Sequence, residues 1–411
     1  MATATASSMQ TYDVGGVLLP RPFKIRRFAH VGLNVDDPVK CLPFYCDLLG
    51  FMVAEQLELR GRFKTKEEAA KFPFTKGLFI RHGTDHHSVV LFPKFVLNAL
   101  AGYPPIKASM ALNQLAWQVG SIREVTDAIA FLQQAEVELL RIGRDQPGGN
   151  WHVYSFDPDR YVNEMFYGIE QIGWDRLSKP LAAYEAQIDA PRLPIIPEYQ
   201  EVANAIDRGV NVSSGYRHEP MGKPTYDVDG VLLPRPFKVV RIGPLRLFVS
   251  NMDASLRYYT ELLGFKITEE VVWRGHRCAF LRVNTEHHSL ALYPEGMRPT
   301  LQFDSDKPYL SIGIQVATYT QLRAAVDFLG TRGVTIRELP GEVSAGIDYS
   351  ALILDPEGNA FQLYYYMEQV GWDGRPRERR TNGVQGIADW PKAIPAQEDS
   401  YSGEIFLGPW S

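Results

Sequence analysis

The chain has nine histidines, and four of them stand in two matched pairs, Asp85-His86-His87-Ser88 and Glu286-His287-His288-Ser289. Imidazole titrates near neutrality and ligates metals readily, so such pairs suit proton transfer or ligation. His30 lies inside the apolar run Phe28 to Val35 (FAHVGLNV), and Glu164 precedes Met165-Phe166-Tyr167, a stretch that reads as a buried strand. A carboxylate buried alone is costly, so Glu164 needs a partner. His152 and Tyr154 are two residues apart, and on a strand such residues point to the same side. Thiol chemistry does not organise this chain: Cys41, Cys46 and Cys278 are odd in number and form no CxxC. That rules out a disulfide framework and a thiolate zinc site.

These groups have to be positioned by a duplicated framework. Thr11 to Lys24 reads TYDVGGVLLPRPFK and Thr225 to Lys238 reads TYDVDGVLLPRPFK, differing only at Gly15 and Asp229. The register continues with Phe44-Tyr45 against Tyr258-Tyr259, Leu49-Gly50-Phe51 against Leu263-Gly264-Phe265, and Arg60-Gly61 against Arg274-Gly275. The offset then shrinks, so the first half carries an extra segment near residues 61–76, read as a surface insertion or, less favoured, a lid. Asp157-Pro158 answers Asp355-Pro356, and Gly173-Trp174-Asp175 answers Gly371-Trp372-Asp373. The near-identical arms line an interface or cover a pocket mouth; a packing role is favoured.

Each half divides again. A strand at Phe28–Val35 is followed by Asp36-Asp37, acidic residues that suit a helix start. A helix with apolar Val39, Leu42, Tyr45, Leu48 and Leu49 follows, and Gly50 stops it. Strand-like stretches, including His87 to Phe92, complete the unit. The pattern restarts with a strand at Leu115–Val119, Ser121 as cap, a helix over Arg123–Gln134, and strands near His152–Phe156 and Glu164–Tyr167. The second half repeats it with Leu245–Val249, Asp253–Leu263, Ser311–Val316, Leu322–Leu329, Ala351–Leu354 and Phe361–Tyr365. The expected class is α+β: four βαβββ modules paired into two similar half-open barrels. The division is an arm at 1–24, a first domain at 25–176, a linker and second arm at 177–238, a second domain at 239–375, and a tail at 376–411. A histidine on one strand and a carboxylate on another can converge inside such a curl.

The strand-helix run HVGLNVDDPVKCLPFYCDLLGF, the HHS pair, VYSFDPDRYVNEMFY and EQIGWD/EQVGWDGRPR resemble the vicinal oxygen chelate superfamily. Within it they resemble the two-domain type I extradiol ring-cleavage dioxygenases. The resemblance covers residues 25–176 and 239–375. It implies a metal, usually Fe(II) and sometimes Mn(II) or another divalent ion, held by two His and one Glu with open positions for a catecholate and O₂. His30 matches the first ligand and Glu164 the carboxylate. Gln114 falls where the second His belongs; glyoxalase I in the same superfamily uses Gln, a neutral oxygen donor. A core hydrogen-bonding role for Gln114 stands beside that reading. His87 matches an acid–base His beside the substrate hydroxyl, and Tyr154 matches a Tyr that hydrogen-bonds substrate oxygen. A further pocket His of the family falls on Asp145, read here as a loop residue; His152 is a substitute ligand candidate, and His86 is expected to face away. In the second half Pro244, Ser311 and Gln362 replace the three ligands and Leu352 replaces the Tyr, whereas in typical two-domain members the active module is the C-terminal one.

The resemblance implies a metal-dependent dioxygenase acting on a catechol-like or hydroxylated aromatic with O₂. The alternatives are a glyoxalase-like isomerase, lyase or hydrolase, or a non-catalytic binder of aromatic ligands. Lys plus Arg number 43 against 48 Asp plus Glu, a net charge of −5, which argues against a nucleic-acid partner. No apolar run is long enough to span a membrane. The first residues, MATATASSMQ, lack a secretory pattern, so a cytoplasmic protein is expected. Homo-oligomerisation through module edges stays open.

Overall fold

A computed structural model describes residues 10–100, 111–144, 146–185, 189–219, 222–304, 307–370, 374–377 and 386–395. An N-terminal hairpin, β1 (Tyr12–Val14) and β2 (Val17–Leu19), leads into β3 (Ile25–Val35). α1 (Pro38–Leu42) starts at Asp37, whose carboxylate accepts from the Val39 and Lys40 amides. The apolar helix expected to run on to Leu49 instead widens into a π-helical turn at Pro43–Leu48. It stops at Gly50, whose φ of +84° an L side chain rarely adopts. β4 (Met52–Glu58), α2 (Lys66–Ala70), β5 (Lys76–Arg81), β6 (Val89–Pro93) and α3 (Lys94–Ala99) complete the first module. The extra segment near 61–76 holds α2, which packs with α3 over a small core of Leu59, Phe63, Ala69, Val96, Leu97 and Leu100. It is a surface insertion with its own apolar anchor.

The second module is β7 (Leu112–Val119), α4 (Ile122–Gln134), β8 (Leu139–Arg144), β9 (Trp151–Phe156) and β10 (Val162–Tyr167). Ser121 caps α4 by accepting from the Glu124 amide at 3.2 Å. α5 (Glu198–Asp207) follows in the connecting segment, then the hairpin β11 (Tyr226–Val228) and β12 (Val231–Leu233). The second half repeats the first: β13 (Val239–Val249), α6 (Met252–Arg257), β14 (Lys266–Trp273), β15 (His276–Arg282), β16 (Leu290–Pro294), β17 (Tyr309–Val316), α7 (Tyr319–Gly330), β18 (Ile336–Arg337), β19 (Ser350–Leu354) and β20 (Ala360–Tyr364). Each half forms one eight-stranded mixed sheet, ordered β4-β5-β6-β3-β7-β10-β9-β8 and β14-β15-β16-β13-β17-β20-β19-β18. The expected α+β class of paired βαβββ modules is the observed one.

Register decides which side chains share a face. β3 runs antiparallel to β7 with His30 opposite Ala116; β10 runs parallel to β7 with Glu164 opposite Ala116; β9 runs antiparallel to β10 with Tyr154 opposite Glu164. His30, Ala116, Glu164 and Tyr154 therefore form one cross-strand row, and paired positions point the same way. Gln114, two residues before Ala116, shares that face. The opposite face (Val31, Leu115, Trp117, Val153, Met165) packs with Val125, Ala128, Ile129 and Leu132 of α4 in the main core. One irregularity matters for chemistry. A register shift between Phe28 and His30 lets Phe28 pack on Trp117, ring centroids 5.2 Å apart, while His30 turns to the other face.

Candidate metal centre

His30, Gln114, Glu164 and Tyr154 come together on the inner face of the first sheet. His30 Nε2 lies 2.9 Å from Glu164 Oε2, with both residues buried. The Gln114 amide is 3.3 Å from Glu164 Oε2 and 3.3 Å from the Tyr154 hydroxyl. Gly32 makes room for it: a Cβ there would stand 3.2 Å from Gln114 Oε1. Asn150 Nδ2 donates to the other carboxylate oxygen, Oε1, at 2.6 Å. His30 Nδ1 is buried without a hydrogen-bond partner among the described residues.

Two donors at the usual ~2.0–2.2 Å from a cation, at a right angle, are ~3 Å apart. The Nε2 to Oε2 separation of 2.9 Å has that value. The Gln114 amide sits at 3.3 Å, and its oxygen and nitrogen exchange places by a half turn of the side chain. This donor set, one imidazole, one carboxylate and one amide oxygen, fits a divalent ion. Among the described residues no three His, Cys, Asp or Glu side chains are arranged for a metal, so the amide is essential to the fit.

The electrostatics of the cluster follow from burial and charge. Burial pushes the Glu164 carboxyl up, but the charge and hydrogen bond of His30, with His152 and Arg141, hold it below the ordinary range. His87 lies against His30, ring centroids 4.3 Å apart. Burial, reinforced by His30 and His86, keeps its imidazole well below its ordinary value, hence neutral. His86 Nδ1 is 3.1 Å from His87 Nδ1, and its Nε2 is turned toward Glu170 at 3.8 Å. Burial, with Arg81 and His30, lowers His86 to about 3. His152 stands beside Tyr154, ring centroids 4.6 Å apart, and Arg141 lies 4.6 Å over the Tyr154 ring. Asp145 lies outside the described residues.

Asn150, Arg141 and Phe166 belong to the cluster and escaped the sequence reading. Asn150 was within reach of it, since it precedes His152 and Tyr154 at even spacing and so shares their face. Arg141 reaches the cluster because it pairs with Tyr154 across β8 and β9. Phe166 packs against the His30 ring in a tilted arrangement, centroids 4.9 Å apart. In the second sheet, Pro244, Ser311, Gln362 and Leu352 take the equivalent positions. His287 and His288 keep the paired geometry, Nδ1 to Nδ1 at 3.1 Å.

A duplicated α+β chain of paired βαβββ modules, with an imidazole–amide–carboxylate cluster inside one barrel, defines the class of fold to which the chain belongs. The chain belongs to the Glyoxalase/Bleomycin resistance protein/Dioxygenase superfamily, whose sequence pattern matches residues 27–165 and 241–363. It is 22% identical over 215 residues to 2,2',3-trihydroxybiphenyl dioxygenase of Sphingomonas paucimobilis, 49% of this chain and 71% of that one. It is 28% identical over 133 residues to a virulence protein of Salmonella typhimurium, 31% of this chain and 85% of that one. Among solved structures it shares its fold with the Mn(II)-bound glyoxalase of Novosphingobium aromaticivorans (TM-score 0.55, 16% identity, 93% of this chain and 96% of that one). It shares it equally with a catechol 2,3-dioxygenase (TM-score 0.55, 17% identity, 90% and 99%). These neighbours are enzymes. No helix among the described residues is long and apolar enough to cross a membrane.

Proposed function

We propose that the chain is a divalent-metal enzyme that opens a catechol-like or hydroxylated aromatic ring with O₂, in the extradiol manner. The observation that carries this reading is the approach of His30 Nε2 to Glu164 Oε2 at 2.9 Å with the Gln114 amide beside them. His30, Gln114 and Glu164 would hold Fe(II), or Mn(II) in its place. When bound, such an ion polarises substrate oxygens and provides adjacent positions for two reactants. Asn150 fixes the carboxylate so that one oxygen faces His30 and Gln114. The Tyr154 hydroxyl orients a substrate oxygen, since it already points at the Gln114 amide. His87, kept neutral by its surroundings, accepts a proton from a substrate hydroxyl and returns it to a product oxygen. Phe166 and the other apolar walls exclude water from the cup.

A second reading is favoured by Gln114 itself. A neutral amide oxygen in place of an imidazole suits Lewis-acid chemistry on a redox-inert ion, as in a glyoxalase-like isomerase, lyase or hydrolase. One experiment separates the two. Protein reconstituted anaerobically with Fe(II) or Mn(II) is expected to hold about one ion per chain. H30A and E164A are expected to lose it. Admission of O₂ with catechols should then give stoichiometric uptake and a ring-opened chromophore. Turnover without O₂ uptake selects the isomerase or hydrolase reading, and protein that takes up no metal overturns both.

A further inference from the structure

The second barrel lacks the metal donors, yet its interior is not an apolar plug. Arg246, the register equivalent of Gly32, is fully buried on β13 opposite Ser311 of β17. Among the described residues its one hydrogen bond runs from Nη1 to Ser344 Oγ at 3.3 Å. Nε and Nη2 are buried with no hydrogen-bond partner, and no carboxylate pairs with them, among the described residues. Glu269, on the same sheet, is engaged by His287 at 3.1 Å. A guanidinium buried without a counter-charge is expensive, and buried charges are ordinarily paired.

The two free atoms are informative together. Nε–H and Nη2–H lie on the same edge of the planar guanidinium and form the fork that grips a carboxylate through both oxygens. Ser311 Oγ, Gln362 Oε1 and His288 Nε2 are among the buried polar atoms of this half that also lack partners within the described residues. Gln362 is held in place by its own Nε2, which donates to Ser350 Oγ at 2.7 Å and Ser344 Oγ at 3.2 Å. Ser344 thus bridges Arg246 and Gln362, which fixes the donor fork and the acceptor oxygen in one cluster. The flanking Tyr293 and Tyr364 hydroxyls donate to the carbonyls of Val343 and Gly243 at 2.7 and 2.8 Å, so they turn oxygen rather than a proton toward the guanidinium and supply no full counter-charge. Phe248, Phe280, Met297 and Leu310 supply an apolar wall.

We propose that the second barrel is a binding site for a small monocarboxylate, gripped by the Nε/Nη2 edge of Arg246 with Ser311 donating to it and Gln362 Oε1 accepting from a ligand hydroxyl. The fork fits two oxygens of either a carboxylate or a phosphate, but one cation calls for a single negative charge, which favours a monocarboxylate over a phosphate dianion. The metal-poor half is then a ligand-binding counterpart of the first, independent of whether the first barrel turns over a ring.

The test is thermal unfolding of the metal-free full chain at fixed ionic strength in acetate, glycolate and benzoate, against chloride and phosphate. At least one carboxylate is expected to raise the melting temperature by a few degrees, rising with its concentration as ligand linkage requires. H30A should keep that response, because the first barrel is not involved. R246M should melt higher than wild type in carboxylate-free buffer, since it removes an unpaired charge, and should lose the response. R246K, which keeps the charge but not the fork, should bind at least tenfold more weakly, and serves if R246M does not fold. A wild-type chain indifferent to all three carboxylates overturns the proposal. So does an equal response in R246K, or chloride or phosphate acting as strongly as the best carboxylate.

Discussion

At the scale of single residues, the proposed chemistry turns on the arrangement around Glu164. A fully buried carboxylate is kept ionised by His30, and its two oxygens have different tasks. Oε1 is occupied by Asn150 at 2.6 Å, and Oε2 is left to face His30 and Gln114. Groups that orient a metal-binding carboxylate matter nearly as much as the carboxylate itself. Asn150→Ala is therefore expected to weaken metal binding ~10–100-fold while leaving one ion per chain at saturation. Competition with a coloured chelator measures this, and an unchanged affinity would show that Glu164 holds its pose alone. Tyr154→Phe should behave in the opposite way. Metal affinity stays, because the Gln114 amide keeps its contact with Glu164, and the turnover rate falls as the substrate oxygen loses its hydrogen bond. A matched chelator titration and steady-state assay check that split.

At the scale of elements, the placement of the cluster rests on strand alternation, and that is also where the sequence was most readable. His152 and Tyr154 could be put on one face from their spacing alone, and Glu164 joined them through the family resemblance. His30 could not. Period-two alternation puts it with Phe28, and only the bulge between them, which no residue type announces, sends Phe28 to the core and His30 to the cup. Arg141 was hidden for a similar reason, since its contact depends on cross-strand register rather than on its neighbours in sequence. The loop between β8 and β9 carries a further constraint. Gly148 has φ +94°, and a Cβ there would lie 3.2 Å from His87 Cε1 and 3.3 Å from His86 Nδ1. Gly168 has a similar φ, +85°, with nothing within 4 Å. Gly168→Ala is expected to cost about 1–2 kcal/mol, the conformational penalty alone. Gly148→Ala should cost more and should also slow turnover, because it displaces the imidazole that faces His30. Urea unfolding of the two variants beside their steady-state rates tests this; equal losses of stability, or unchanged turnover in Gly148→Ala, would show that the His87 contact is slack.

At the scale of the whole molecule, the duplication is used twice to tie the halves together. Tyr45 donates to Asp355 at 2.9 Å, and its repeat Tyr259 donates to Asp157 at 2.8 Å. The arms cross over as well. Arg21 of the first arm reaches the Glu261 carbonyl at 3.3 Å and covers Gly264, while Arg235 of the second arm covers Gly50. The arms thus line the contact between halves, which explains why two segments so far apart in the chain are nearly identical: each meets the same surface on the other repeat. Asp157 gives this contact a pH signature. Its carboxyl is pushed up to about 7, chiefly by burial, against the opposing hydrogen bonds from the Tyr259 hydroxyl and the Tyr161 amide. An unfolded Asp ionises near ~4, so the folded chain holds the extra proton between about 4 and about 7. The resulting stability is fully present below the lower value and is lost as pH rises through the upper one, by a few kcal/mol at most. Asp157→Asn mimics the protonated form at every pH. Its cost relative to wild type should therefore be largest near pH 4.5 and should shrink by pH 8, as read from urea midpoints at constant slope. If the three donors at 2.8 Å (Tyr259), 2.8 Å (Tyr161) and 3.0 Å (Asp159) outweigh burial instead, the carboxylate stays ionised and the gap between the two chains widens with pH. That outcome would reverse the sign assigned to this contact.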